Sequence, residues 1–313
     1  MKPGHEDLIL HQYNLSPFSE KGRLMMGFKG LSWHSTIHST IMPKPELVAL
    51  TGGYRQIPVL QVGADIFCGT EIIAEELERR QPQPSFYAAG GPGMVAGLAH
   101  WSEEVLFWLV VQLVCGSDFA SLEDPAFIAD RQEMLGDMFD VDRMKADVPA
   151  NLVKLRGHVD LVDRQLRDGR DFLFGAASGL ADISFYHPLE FLSACRTNVA
   201  NFLDDYPLIR AWMARVAAIG HGNRQELARE DALGVARAAS PRSLAETGAP
   251  LAVPPQARFV CWTPGAAVLE GELVVALPRR IAIRRTTDLL GETVVHLPRN
   301  AGTLEVEGSN HGL

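Results

Sequence analysis

Residues 8–30 read LILHQYNLSPFSEKGRLMMGFKG, where an apolar run is followed by a Ser-Pro turn and a helix-like stretch. In a strand-to-helix turn of this kind, Ser16 can be the N-cap and Pro17 the first helical residue. The Ser16 hydroxyl then lies where backbone N–H groups converge and the helix dipole is positive. Because such a position favours an anion, the turn is the first candidate for a functional site.

Two roles for Ser16 are compatible with this position. Most serines before a proline at a helix start only cap the helix. A Ser16 hydroxyl would need an adjacent base to act as a nucleophile at neutral pH. It could instead donate a hydrogen bond to a bound thiolate and lower the pKa of that thiol. This second role predicts a thiol that is brought in as a cosubstrate.

The composition is that of a folded protein that does not bind nucleic acid. The 313 residues are 47% hydrophobic and the mean hydropathy is +0.02, which fits two or more folded domains. The net charge of −9 argues against nucleic acid or an anionic membrane as a partner. The longest apolar stretch, Val105–Val114, is too short to span a bilayer, and we expect a cytoplasmic protein. The four cysteines lack metal-site spacing, so we expect free thiols and no metal.

Residues 8–88 carry alternating strand and helix signals in the order β-α-β-β-β-α. The strand signals are Leu8–Tyr13, Trp33–Ser39, Ile57–Val62 and Asp65–Cys68. The helix signals are Glu20–Gly30 and a second stretch that begins at Thr70. Gly63-Ala64 between the last two strands indicates a hairpin. We therefore predict an α/β domain over residues 1–88.

The rest of the chain divides into a helical region and a β region. Helical periodicity is found in Met94–Cys115, Pro125–Phe139, Leu152–Leu166, Ala181–Arg196 and Leu208–Ile219. Residues 237–255, rich in Ala, Ser, Pro and Gly, are typical of a linker. Short β runs follow at Arg258–Trp262, Glu272–Ala276, Ile281–Arg285, Thr293–Leu297 and Thr303–Val306. We predict an all-α domain over residues 89–236 and a small all-β module over residues 256–313.

Five motifs, in this order along the chain, resemble the cytosolic glutathione S-transferase superfamily in a bacterial form with a serine-type turn. They are SPFSEKGRLMMGFKGL at 16–31, RQIPVL at 55–60, GTEIIAEELERR at 69–80, GLADI at 179–183 and YPLIRAW at 206–212. The first looks like a thioredoxin-type active-site turn in which Ser16 and Ser19 replace both cysteines. The resemblance implies an α/β thioredoxin-like N-terminal domain and an all-α helical domain, to which this chain adds its all-β C-terminal module.

The resemblance also implies glutathione as the cosubstrate, with Ser16 holding its sulfur. Pro58 would follow a cis peptide bond and expose the backbone of Val59 to the cysteinyl part of glutathione. Thr70, as the N-cap of the next helix, would bind the γ-glutamyl carboxylate, and Lys44 would bind the glycyl carboxylate. The glutathione-binding residues assigned in this way are Phe18, Lys44, Ile57, Pro58, Val59, Gly69, Thr70 and Glu71.

Gly69 departs from the family pattern, because the residue before Thr70 is usually acidic and receives the γ-glutamyl amino group. Glu71 lies about 200° further round the helix by the 3.6-residue period, so it is not an obvious substitute. Gly179 is a second departure, since it stands where the family has a capping Ser or Thr. Asp182 is nevertheless retained three residues later, at the position that completes the cap.

Helical aromatic residues that would face the glutathione sulfur are candidates for an apolar second site, although such residues are also typical of a core. We assign Trp101, Phe107 and Trp108 to it. The implied reaction is attack of the thiolate on a hydrophobic electrophile, by conjugation, ether cleavage, isomerisation or dehalogenation, with a role in detoxification. The implied assembly is a homodimer. One alternative is a non-catalytic transferase-like protein that binds an apolar ligand or a protein partner. Another is that the β module is the functional part and the rest of the chain is a dimerisation scaffold.

Residues outside these motifs are given structural roles. His11, His34 and His38 are expected near the predicted site, and solvent exposure explains them as well as any functional role does. Arg279-Arg280 and Arg284-Arg285 make the β module locally basic. We expect this module to pack on the helical domain or to extend a subunit interface.

Overall fold

The computed structural model describes residues 4–243, 256–261 and 268–306. Its N-terminal region has the predicted thioredoxin-like order, with one helix more than the sequence indicated. The elements are β1 Leu8–Gln12, α1 Pro17–Phe28, β2 Ser32–Ile37, α2 Pro45–Thr51, β3 Val59–Val62, β4 Asp65–Cys68 and α3 Thr70–Arg80. The predicted α/β fold of this region is confirmed.

Helix α2 was missing from the prediction because its seven residues are too few to give a clear apolar period. The helix ends at Gly52, which has a φ of +75°. A Cβ at this position would lie 2.4 Å from Cδ1 of Leu269. Glycine is required here both by the left-handed backbone and by the close approach of the C-terminal strands.

The helical region follows with seven α-helices and, before the last of them, a short strand that returns to the sheet. The elements are α4 Gly91–Trp101, α5 Phe107–Cys115, α6 Pro125–Leu135, α7 Val141–Leu166, α8 Leu180–Ala194, α9 Pro207–Ala217, β5 Asn223–Glu226 and α10 Arg229–Ala238. Helix α7 begins 11 residues before the predicted start, since Asp140 caps it by accepting a hydrogen bond from the backbone N–H of Arg143 at 3.0 Å. Its first turns are polar and contain Pro149, so they show no apolar helical period and were not predicted as part of the helix.

A π-helical turn at Ser102–Leu106 joins α4 to α5. The resulting continuous helical segment, Gly91–Cys115, is long and apolar enough to cross a membrane by length and composition alone. Within the fold, α5 packs on α7 and α8, and most of its side chains are buried in the helical core. These contacts are those of a core helix.

The predicted cap of α8 is present. One carboxylate oxygen of Asp182 accepts a hydrogen bond from the backbone N–H of Gly179 at 3.0 Å. The other accepts from the backbone N–H of Leu173 at 2.8 Å and from Nε1 of Trp212 at 2.9 Å. Asp182 therefore ties the start of α8 to α9 and to the loop that precedes α8.

The C-terminal strands continue the thioredoxin-like sheet. They are β6 Gln256–Cys261, β7 Val268–Ala276, β8 Arg280–Thr287, β9 Gly291–Pro298 and β10 Gly302–Val306. The ten strands lie in the order β10-β6-β7-β8-β9-β4-β3-β1-β2-β5, and β9 runs parallel to β4 with Phe67 opposite His296. The last residue of the predicted strand Arg258–Trp262 lies outside the described residues, as do residues 244–255 of the predicted linker.

The C-terminal β module packs on the N-terminal region, so the expected packing on the helical domain is wrong. Its buried side chains join those of α2, β3 and β4 in a second core, which includes Leu47, Leu50, Val59, Ile66, Phe259, Leu273, Ile283 and Leu297. Arg279 and Arg280 form ion pairs with Glu71 and Glu75 of α3. The local basic charge of the module is thus partly neutralised by α3.

Candidate functional site

Ser16 caps α1 as the sequence predicts. Its Oγ accepts a hydrogen bond from the backbone N–H of Ser19 at 3.1 Å, and Pro17 is the first helical residue. The Ser16 side chain is almost fully buried at the positive end of the helix dipole. A hydroxyl in this position can donate its own proton to an anion placed at the start of α1.

Aromatic side chains from the helical region lie against this turn. The Phe18 ring lies 4.6 Å from that of Phe107, in an edge-on arrangement, and 5.0 Å from that of His187. Trp108 contacts Phe107 at 5.2 Å and stays half-buried. Trp101, in contrast, packs against Phe185 and His158 within the helical region. Of the three aromatic residues assigned to the second site, Phe107 therefore adjoins the turn and Trp108 lies beside Phe107.

Lys44 lies buried in a cluster of charged side chains beside the turn. Its Nζ lies 5.6 Å from the centroid of the Tyr13 ring and donates to the carbonyl of Arg55 at 3.3 Å. Asp130, on α6, forms ion pairs with Arg55 and with Arg131. Burial, and then the positive charge of Arg131, lower the pKa of Lys44 to about 8. Three cations face one carboxylate, so the cluster favours an anion.

The peptide bond between Ile57 and Pro58 is cis, which confirms the geometry that the resemblance implies. Val59, the next residue, opens β3 and lies opposite His11 of β1 and Cys68 of β4. Ile57 is half-buried against the second core. The cis bond places the start of β3 at the same end of the sheet as the Ser16 turn.

The structure gives a physical reason for glycine at position 69. Gly69 is the N-cap of α3 with φ +85° and ψ +146°, a region that other residues rarely adopt. A Cβ there would lie 3.2 Å from Cγ of Pro298 in β9. The C-terminal β module thus leaves little room for the Cβ with which the family's acidic side chain would begin.

Thr70 is the first residue of α3, and its expected role as N-cap is wrong because Gly69 takes that position. The Thr70 Oγ1 donates a hydrogen bond to Oε1 of Glu103 at 2.9 Å. Lys21 of α1 forms an ion pair with the same oxygen. A carboxylate from the helical region therefore stands at the start of α3, held by one hydroxyl and one ammonium group.

Glu71 lies in the first turn of α3 and contacts the C-terminal β module. Its Oε1 accepts from Nε of Arg279 at 2.7 Å and from Nη2 at 2.5 Å. This pair ties α3 to the C-terminal β module. Glu71 is therefore paired with Arg279, whereas Glu103 is paired with Thr70 and Lys21.

His11 and His38 are buried, so solvent exposure does not explain them. His11 Nδ1 lies 2.9 Å from Nε2 of His38, and His11 Nε2 lies 2.9 Å from Oε1 of Gln61. Burial lowers the pKa of His11 to about 4 and that of His38 to about 3. Both rings are therefore neutral at pH 7 and form a hydrogen-bonded support across β1, β2 and β3. His34, which is half-buried, lies 3.6 Å from the Asp7 carboxylate.

Sequence reasoning missed the charged residues that complete the site, namely Lys21, Arg55, Glu103, Asp130 and Arg131. Lys21 and Arg55 lie in motifs whose other residues were assigned to the site. Glu103, Asp130 and Arg131 lie in elements that carry no other signal for binding. Glu103 borders the apolar run of α5, and this contrast is the one local sign of a special role.

Two family profiles match the chain. One, described as "Glutathione S-transferase, N-terminal domain", matches residues 10–85, and one described as "Domain of unknown function (DUF7962)" matches residues 110–224. The crystal structure of a GST-like protein from Pseudomonas syringae is 37% identical, with a TM-score of 0.76, over 96% of this chain and 100% of that chain. Since the match leaves out only 4% of this chain, it includes most of the C-terminal strands.

More distant solved structures share the fold alone. A glutathione transferase family member from Pseudomonas fluorescens, with two glutathione bound, is 16% identical with a TM-score of 0.53, over 68% of this chain and 89% of that one. The beta-etherase LigF from Sphingobium is 17% identical with a TM-score of 0.53, over 67% and 95%. A search of curated proteins gives no match.

Proposed function

We propose that this chain, which belongs to the family of glutathione S-transferase-like proteins, binds glutathione and uses Ser16 to stabilise its thiolate for attack on a hydrophobic electrophile. The observation that carries the proposal is the Ser16 hydroxyl at the N-terminus of α1, beside the excess positive charge around Lys44. A low thiol pKa keeps the nucleophile available near pH 7. Binding of both reactants in one cleft supplies the remaining rate enhancement.

Glutathione would span the ends of β3 and the two helices that flank it. Its glycyl carboxylate would pair with Lys44, and its cysteinyl backbone would meet Val59. The γ-glutamyl carboxylate would accept hydrogen bonds from the backbone N–H groups at the start of α3, including that of Thr70, since helix N-termini favour anions. This arrangement places the sulfur at Ser16.

Glu103 would receive the γ-glutamyl amino group in place of the missing acid at position 69. Its Oε1 is held by Thr70 and Lys21, while the carboxylate as a whole is partly exposed. Lys21 offsets the repulsion that Glu103 would otherwise exert on the γ-glutamyl carboxylate. The γ-glutamyl end of glutathione, which carries an ammonium and a carboxylate group, would thus find a negative charge on Glu103 and a positive charge on Lys21 at the start of α3.

The second substrate would be an apolar molecule that lies against Phe107 and Trp108. Leu15, just before Ser16, is 41% exposed and would add an apolar side chain at the turn. An apolar wall beside the thiolate suits conjugation, ether cleavage, isomerisation or dehalogenation of hydrophobic electrophiles. We assign the protein to the removal of such compounds in the cytoplasm.

Turnover of an aryl halide such as 1-chloro-2,4-dinitrobenzene with glutathione tests the proposal. The Ser16→Ala variant is expected to lose at least about tenfold in kcat/KM, on the order of one hydrogen bond to a charged group. Ser19→Ala, which removes a neighbouring buried hydroxyl, is the matched control and should retain activity. Equal activity in the unchanged protein and Ser16→Ala, or binding of apolar ligands without any thiol chemistry, would contradict the proposal.

The homodimer that the resemblance implies is part of the proposal. Arg279 and Arg280 cover the part of α3 around Glu71 and Glu75 within one chain. The dimer contact would therefore use another part of the surface. Light scattering at micromolar concentration should give twice the chain mass of 34.3 kDa. A mass of one chain would contradict it.

A further inference from the structure

The loop between β2 and α2 is held at three alternate residues. The Nη2 of Arg131 donates a hydrogen bond to the carbonyl of Thr40 at 2.9 Å. The backbone N–H of Met42 donates to Oδ1 of Asp130 at 2.8 Å. The Nζ of Lys44, just before α2, donates to the carbonyl of Arg55 at 3.3 Å. Since Asp130 and Arg131 are neighbours on α6, the helical region makes the first two of these contacts.

Helix α6 places a buried charge against this loop. Of its 11 residues, two are buried, namely Asp130 and Leu135. A buried carboxylate is costly unless it is paired, and Asp130 accepts from Arg55 through Oδ1 and from Arg131 through Oδ2. Apolar residues of similar volume often stabilise a fold as well as buried ion pairs do. These pairs therefore indicate a role beyond holding α6 on the fold.

The charges of this cluster are not balanced. Asp130 pairs with both guanidinium groups, while the ammonium group of Lys44 donates to a neutral carbonyl. Lys44 is 5% exposed and Arg55 is 3% exposed, so solvent screens them weakly. The buried Nε of Arg55 has no hydrogen-bond partner among the residues that the structure describes. Excess positive charge and an unused donor fit the carboxylate end of a ligand.

The place of the Lys44 ammonium group depends on α6 in two ways. Asp130 holds the loop that carries Lys44, through Met42, and it also holds Arg55, whose carbonyl accepts from Lys44. The guanidinium of Arg131 is in turn fixed over the Phe127 ring, 4.4 Å from its centroid. A lysine side chain has a long flexible stem, so such contacts decide where its charge is presented.

We propose that Asp130 and Arg131 are positioning residues that hold residues 40–44 so that Lys44 selects ligands with a terminal carboxylate over those with a neutral amide. The inference rests on the proposed function, since that carboxylate is the glycyl end of glutathione. Neither residue contacts the ligand, because both act through the loop and Arg55. The helical region thus sets the specificity for the far end of the thiol peptide.

Two ligands that differ only at this end test the inference. S-methylglutathione carries the glycyl carboxylate, and in its glycine amide a neutral carboxamide replaces it. The ratio of their Kd values, measured by calorimetry at pH 6.5 where Lys44 is charged, reports the selection. The unchanged protein should bind the carboxylate form at least about tenfold more tightly, the size expected for a hydrogen bond between charged groups.

Arg131→Lys changes the position of the loop without changing the charge of the cluster. An ammonium group cannot reproduce the planar fork with which Arg131 contacts both Asp130 and Thr40. The Kd ratio should fall about fivefold, the size of one hydrogen bond, while the Kd of the amide changes less than about twofold. Arg164→Lys, on the exposed face of α7 and also paired with an aspartate, is the matched control and should keep both Kd values. An unchanged ratio in Arg131→Lys, or an equal loss for both ligands, would overturn the inference.

Asp130→Asn separates position from charge, because the two predict opposite results. The change removes a negative charge that competes with the ligand for the cations, so charge alone would tighten the binding of S-methylglutathione. We expect weaker binding of this ligand, since Arg55 and the loop lose their shared partner. Tighter binding would overturn the inference. Thermal melts show whether each variant is folded, and the milder Arg131→Lys carries the test if Asp130→Asn is not.

Failure of the inference is distinguishable from failure of the proposed function. If the unchanged protein binds neither ligand, the proposed glutathione binding is overturned and the inference with it. If the unchanged protein prefers the carboxylate and both variants keep that preference, only the inference is overturned. If the unchanged protein binds both ligands equally, the glycyl carboxylate does not lie at Lys44 and the inference is overturned, while the role of Ser16 is left to its own test.

Discussion

Thr70 Oγ1 lies 2.9 Å from Oε1 of Glu103, so the first side chain of α3 contacts a carboxylate from the helical region. The ion pair of Lys21 with the same carboxylate makes this a three-way contact among α1, α3 and the π-helical turn. The proposed glutathione site is therefore built across two regions of the fold. Gly69, where the family usually has an acidic residue, contributes no side-chain charge to this site.

Replacement of Glu103 should weaken glutathione binding. Glu103→Gln keeps the shape of the side chain and removes the charge that would meet the γ-glutamyl ammonium group. We expect about a tenfold rise in Kd by calorimetry, corresponding to about 1.4 kcal/mol. An analogue of glutathione without the amino group should bind both proteins equally.

The matched control for this change is Glu104→Gln, because Glu104 is the exposed neighbour in the same turn. It should leave the Kd unchanged. Equal affinity of Glu103→Gln and the unchanged protein for glutathione would show that Glu103 does not contact the amino group.

Gly69→Ala should destabilise the protein. The backbone conformation of Gly69 is strained for other residues, at about 1–3 kcal/mol, and the new Cβ would lie 3.2 Å from Pro298. Urea denaturation measures the loss. Gly97→Ala is the control, since Gly97 lies inside α4 with no atom within 4 Å of the added Cβ, and it should stabilise by about 0.5–1 kcal/mol. A neutral Gly69→Ala would contradict the described contact with the C-terminal β module.

Binding of a carboxylate at Lys44 should take up a proton above pH 8. Burial lowers the pKa of free Lys44 to about 8, and an adjacent carboxylate would raise it again. With S-methylglutathione, which has no thiol proton, calorimetry at pH 8.5 in buffers of different ionisation enthalpy should show uptake of roughly three quarters of a proton. Uptake should vanish near pH 6.5, where Lys44 is already charged.

Lys44→Arg is the matched control for proton uptake, because arginine keeps its charge throughout this pH range. The variant should bind S-methylglutathione without taking up a proton at pH 8.5. If the unchanged protein also binds without uptake, the glycyl carboxylate does not lie at Lys44.

Asp182→Asn should lower the stability of the helical region. Asp182 is 1% exposed and accepts three hydrogen bonds, and an amide nitrogen cannot accept any of them. One buried donor without a partner costs about 1–3 kcal/mol. Urea denaturation followed by tryptophan fluorescence measures the change, since Trp212 is one of the donors. Asp171→Asn, at a mostly exposed position, should be neutral, and an equal effect of both variants would contradict this role of Asp182.

The sequence predicted the parts of the fold that local patterns determine. Strand-to-helix turns, apolar periods and the motif at Pro58 located most elements to within a few residues. The ten-stranded sheet could not be foreseen, because the pairing of β9 with β4 joins Phe67 to His296 across the whole helical region. An alternation of apolar and polar residues indicates that a segment is a strand, but it does not show which other strand pairs with it.

The site was predictable where a motif carries the chemistry, and it was missed where distant side chains meet. The Ser16 cap follows from local sequence, and the cis bond before Pro58 follows from the resemblance of its motif to the family. Glu103 is 33 residues from Thr70 and 82 from Lys21, and its neighbours in sequence do not indicate these contacts. Gly69 was recognised as a departure, but its positive φ and its close approach to Pro298 of the C-terminal β module were not visible in the sequence.

The pKa of the glutathione thiol bound to the purified protein is the measurement that should be made first. Calorimetry establishes binding, and thiolate absorbance across pH gives the pKa. In the unchanged protein we expect a value at least about one unit below the roughly 8.5 of a free cysteine thiol, and in Ser16→Ala a return towards that value. Absence of binding, or a bound thiol pKa that is the same in both proteins, would contradict the proposal that Ser16 stabilises a glutathione thiolate.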